Sequence, residues 1–122
     1  MEIQTAASFL DYYRRIRQRT LGVVKCIPKD KFDWTYKEDK FTFADLIRHL
    51  AAAERYMFGE NVQQKPSRYP GHGPELGEGY DEVLAFLNRM HAETVAIVAG
   101  LTEEDLRKKC TTPGGVEITI WK

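Results

Sequence analysis

Three segments of the chain place apolar side chains at steps of three and four residues, and that spacing confines the fold to helices packed side by side. In the first, Ala6, Phe9, Tyr13, Ile16, Thr20, Val23 and Ile27 share one face. In the second, the stripe is Phe43, Leu46, Leu50, Ala53 and Met57, and Thr42 with Asp45 three residues on gives the helix a capped start. The third runs from about Gly79 to Gly100, with Tyr80, Val83, Leu84, Leu87, Met90, Thr94, Val98 and Leu101 on one side.

The segments between are punctuated. Pro28 ends the first helix, because the residue before a proline avoids helical backbone angles. The polar connection from Lys29 to Lys40 carries Phe32 and Trp34, expected to plug one end of the core. Between Asn61 and Glu78, Pro66, Pro70, Gly71, Gly73, Pro74 and Gly77 predict a long irregular connection, a crossover or a lid. Thr102 with Asp105 repeats the capping pattern and opens a short helical turn. The alternation Val116, Ile118, Ile120 after Pro-Gly-Gly suits an extended arm. The expectation is a single all-α domain over residues 1–122, a helical bundle whose cross-section lacks one member.

With 18 basic and 18 acidic residues, the chain has no net field to recruit nucleic acid or an anionic membrane. The start, MEIQTAASFLDYY, lacks the apolar run of a secretory signal, and no stretch is apolar enough to span a bilayer. A cytoplasmic protein is expected, with Cys26 and Cys110 as reduced thiols. Arg14, Arg15, Arg17 and Arg19 read as the solvated side of the first helix rather than a phosphate-binding face, since no aromatic side chains interleave with them. The phosphate-loop, nucleophile-elbow and dinucleotide templates are absent.

Chemistry therefore rests on three histidines. At about 100° per residue, His49 stands roughly 80° from the middle of its stripe, at the boundary between core and water. It is a metal ligand or an interfacial histidine with a hydrogen-bond partner. His91 falls within the third stripe, as a satisfied core residue or a ligand, and His72 lies in the loop, where solvent exposure is expected. Glu54, on the other flank of the second stripe, is an oxygen ligand, a base or a surface partner for an arginine. If the second and third helices run antiparallel, His49 and His91 are nearly level; if parallel, they are offset by roughly 7 to 8 Å and cannot share one ion.

The segment FTFADLIRHLAAAERYMFG, the long loop and amphipathic helix after it, the phrase GLTEEDL, and the glycine turn leading to tryptophan together resemble the DinB/YfiT-like family over essentially the whole chain. The resemblance implies an up-down-down-up four-helix bundle, often dimeric, holding a divalent metal, nickel or zinc, through three histidines. It implies parallel second and third helices and makes His49 the metal ligand from the second helix. The other two would come from a histidine pair on a fourth helix beginning near Trp121. Since the sequence stops at Lys122, the expectation is a bundle with its fourth helix absent or truncated and weak or absent metal binding by this chain alone.

By the same resemblance, the complete form is a metal-dependent transferase or hydrolase-like enzyme that uses metal-bound water or a small thiol on a small-molecule substrate. Three striped helices without a fourth would also leave a large apolar groove, which monomers rarely expose. A homodimer is the expected cover. The competing expectation is a non-catalytic interaction module that dimerises through the groove and binds no metal.

Overall fold

A computed structural model of the chain describes residues 4–122. Helix α1 spans Ala6–Val24. Helix α2 begins as Phe43–Ala53, continues through a π-helical turn at Glu54–Phe58 and closes with a turn of α-helix at Gly59–Asn61. Helix α3 is Gly79–Ala99, and the short helix α4 is Glu103–Leu106. An antiparallel hairpin follows, β1 (Lys109–Thr111) with β2 (Glu117–Thr119), in the register Cys110 opposite Ile118. The extended arm thus folds back on its own chain. Trp121 N–H donates to the Leu106 carbonyl at 3.0 Å, which ties the segment after β2 to α4.

Three of these helices start where a hydroxyl can satisfy an orphan amide. Thr5 accepts from the Ser8 amide, Thr42 from Asp45 and Thr102 from Asp105, and in each pair the third residue's side chain returns a bond to the capping residue's amide. Both acidic caps read from the sequence are therefore present. At Thr102 the bonds from threonine and Lys108 hold the Asp105 carboxyl down at about 2.

Contacts along the helices give their directions. Ala44 N–H donates to the Phe32 carbonyl, and the Phe32 ring packs on Tyr80 at 4.9 Å. Farther along, Glu54 meets His91, and a side chain on Gly59 would touch the Thr94 hydroxyl. Both sequences ascend together, so α2 and α3 are parallel. Arg17 meets Asn88 while Tyr13 meets His91, so α1 runs against them. The order is up, down, down, as the family resemblance implies, and the loop after Asn61 is a true crossover.

The core lies between α2 and α3, with Val83, Phe86, Leu87 and Met90 buried from α3 and Val24 and Phe32 closing one end. On α2 the buried face is Ala44, Ile47, Ala51 and Ala52, not the stripe through Leu46 and Leu50, whose exposures are 47% and 51%. Two parallel helices approach closely where their facing residues are small, and the alanines allow that approach. Leu50 is left facing the space between α1 and α2, and Leu46 is left exposed. Trp34, expected in the core, is half-exposed and stacks on Phe43.

This rotation is testable by unfolding in urea. Ala51 is fully buried, so Ala51→Leu should cost about 1–3 kcal/mol by overpacking. Leu50→Ala should stay within about 0.5 kcal/mol of the parent. The reverse ranking would place the core on the leucine face.

Candidate functional site

His49 is half-buried on α2, and its Nδ1 lies 2.6 Å from the Tyr69 hydroxyl. The same hydroxyl lies 3.1 Å from Nδ1 of His72. One phenol thus bridges two imidazoles, accepting N–H from one and donating its proton to the other. Burial pushes the Tyr69 phenol up, which keeps that proton in place. The Phe41 ring covers His72 at 4.2 Å and approaches His49 at 6.2 Å.

His72 is therefore not the solvent-exposed loop histidine the sequence suggested. Only Pro70 and Gly71 separate Tyr69 from His72, and Gly71 adopts φ 91°, a left-handed angle that glycine takes without strain. Tyr-Pro-Gly-His was the available sequence signal for this pairing.

The loop is held by Arg48, one residue before His49 and buried. Its Nε donates to the His72 carbonyl, Nη1 to the Gly77 carbonyl and Nη2 to Asp45 Oδ1, each at 2.8 Å. At the other end of the loop, buried Glu60 accepts from Arg55 and, at 3.1 Å, from Arg68. Neither clamp was legible from helical periodicity, which treats an arginine on a helix as solvated.

A second cluster sits at the π-helical turn, an irregularity often found where helices carry function. His91 Nδ1 lies 2.8 Å from Glu54 Oε1, and the Tyr13 ring packs against His91 at 5.2 Å, close to the same carboxylate. Burial, reinforced by the nearby charge of Glu54, pushes the Tyr13 phenol well above its usual range. Glu54 is thus partnered by a histidine rather than forming a surface ion pair with an arginine. Arg17 joins this cluster and is not solvated with Arg14 and Arg15: its Nη2 donates to the Leu87 carbonyl at 3.2 Å and to Asn88 Oδ1 at 2.9 Å. Burial lowers its pKa, against the opposing pull of Glu54.

Between α1, α2 and the end of α3 lies a cavity of about 520 Å3, lined by Phe9, Ile16, Leu50 and Val98 with Arg17, Tyr13 and Glu54 among them. It is the apolar groove expected between the helices, with a polar patch inside. His49 does not line it.

His49 and His91 do not meet: one bonds to Tyr69, the other to Glu54, on parallel helices. The described residues alone do not fit a metal centre. No three histidine, cysteine, aspartate or glutamate side chains come together among them, and the imidazole nearest His49 is tied to the same phenol. Cys26 is exposed and Cys110 buried, both as free thiols. No described helix is long and apolar enough to cross a membrane.

Neither a curated protein nor a solved structure matches the chain. A family model, described as the DinB superfamily, matches residues 12–122. That match covers most of α1, all of α2 and α3 with their parallel crossover, and both histidine clusters, and the chain belongs to the DinB superfamily.

Proposed function

We propose that this protein is a metal-dependent transferase or hydrolase-like member of the superfamily, acting on a small molecule or small thiol. In this reading His49 is one ligand to nickel or zinc, and the remaining ligands come from outside the described residues of one chain. The observation that carries it is the bond between His49 Nδ1 and Tyr69. A metal-binding histidine almost always engages its other ring nitrogen in such a bond, which orients the ring and selects the tautomer. When His49 donates to Tyr69 and Tyr69 donates to His72, the lone pair of His49 Nε2 is left free. Superfamily membership supports the same reading.

A second copy of the chain is the proposed source of further ligands. Phe41 and Leu46, beside His49, are 43% and 47% exposed and give that face an apolar rim on which another copy can pack.

Titration of nickel and zinc into the metal-free protein, followed by calorimetry, tests the proposal. His49→Ala should abolish retention, and Tyr69→Phe should weaken it about 10–100-fold by removing the group that orients the ring. His91→Ala should leave it unchanged. Binding that survives His49→Ala would refute the assignment.

A further inference from the structure

The two imidazoles around Tyr69 carry a constraint that neither has alone. Nδ1 of His49 at 2.6 Å and Nδ1 of His72 at 3.1 Å meet the same phenolic oxygen. A neutral imidazole has one N–H and one lone pair, and a phenol has one proton to give. If both rings carry their proton on Nε2, a single O–H faces two lone pairs and one of them goes without a donor. If both carry it on Nδ1, the phenol proton is left without an acceptor among the described residues. Burial keeps that proton on the phenol, so ionisation does not relieve the conflict. Only the mixed orders satisfy every group: His49 Nδ1–H with His72 Nε2–H, or the reverse. Each matched order forfeits one hydrogen bond, which favours the mixed ones by about two- to tenfold.

The rings are held in this contact. Arg48, next to His49, donates from Nε to the His72 carbonyl at 2.8 Å, and Phe41 lies over the His72 ring at 4.2 Å. Neither Nε2 has a hydrogen-bond partner among the described residues, and neither is among the buried unpartnered atoms, so both outer nitrogens are open to solvent. We propose that Tyr69 couples the tautomers of the two rings, which makes His72 the positioning residue that decides whether His49 Nε2 presents a lone pair or an N–H. Engaging the lone pair of one ring turns the Nε2 of the other into a donor. The coupling needs no metal; only its bearing on ligation rests on the function proposed for His49.

Long-range proton–nitrogen NMR of metal-free protein labelled with 15N-histidine, at about pH 8 where an ordinary imidazole is neutral, reads the tautomer of each ring. In the parent, one of the two rings should be mainly Nδ1–H and the other mainly Nε2–H. His72→Glu puts an acceptor without a proton beside Tyr69, so the phenol must donate to it and His49 should become mainly Nδ1–H. Adding Tyr69→Phe to that variant should abolish the preference, which a purely electrostatic effect of the new carboxylate would not lose. Zinc added to the parent should leave His72 protonated at Nε2.

Two rings in the same tautomer in the parent, or a His49 tautomer that ignores His72→Glu, would overturn the proposal. The comparison of the two rings in the parent holds even if a variant fails to fold. Opposite tautomers in a protein that retains no zinc would uphold the coupling and remove the metal reading. Zinc held by His49 with both rings in one tautomer would do the opposite.

Discussion

Replacing Glu60 with alanine should cost about 3–5 kcal/mol of folding stability, because it removes the anion from a buried ion cluster and leaves the cations behind. The Glu60 side chain is 3% exposed and Arg55 16%. Arg68, more exposed, reaches the other carboxylate oxygen and covers the Tyr56 ring at 5.4 Å. Without Glu60, Arg55 keeps a distant contact to Glu93 and the face of Tyr56, and the loop beyond Asn61 loses the tie that the Arg68 side chain makes to α2.

The same cluster predicts an acid dependence. Burial alone raises the Glu60 carboxyl, but the hydrogen bonds from Arg55 and Arg68 outweigh it and hold the group below its usual value. A depressed folded-state pKa gives stability that is present above the unfolded carboxylate range and is lost as pH falls through the folded value. The parent should therefore lose stability below about pH 4, and Glu60→Ala should lose less over that interval. Asp45, also held low, keeps part of the slope in both proteins: burial raises its carboxyl, and bonds from Thr42 and Arg48 overcome that. Urea unfolding at neutral and acidic pH measures both effects. An unchanged midpoint at neutral pH would contradict the account of the cluster.

Arg48→Ala should cost about 3 kcal/mol, since it strands the carbonyls of His72 and Gly77 and removes the ion pair to Asp45. Lysine should not substitute, because one ammonium cannot direct bonds to three acceptors arranged around a planar fork. The consequence extends to His49. Tyr69 reaches it only while the crossover is pinned, so amides in residues 62–78 should exchange faster and the His49 ring should lose its partner. Hydrogen exchange of the Arg68 amide, bonded to the Tyr56 carbonyl at 2.7 Å, reports this directly. Protection equal to the parent's would mean that the loop is held by something other than Arg48.

The helices were legible because periodicity, proline and threonine caps are local signals. The faces were less so. Period alone assigned Leu46 and Leu50 to the core of α2, and the structure buries Ala44, Ile47 and Ala51 because a close parallel neighbour favours small residues. Hydrophobicity ranks leucine above alanine, whereas packing distance reverses the order. The half-buried position of His49 was legible from its place at the stripe's edge. Its partners were hidden because Tyr69 and His72 come from a loop with no period, and Arg48 and Arg17 look like any helical arginine until a carbonyl 24 or 70 residues away is known to accept from them. The up-down-down order came from family resemblance, since loop length permitted either path.

Native mass spectrometry of the purified chain, before and after loading with nickel or zinc, tests the central claim that His49 ligates metal in a site completed by a second copy. The account predicts a dimer that retains metal and a His49→Ala dimer that does not. Metal retained on single chains, or retained equally by the His49→Ala protein, would contradict it.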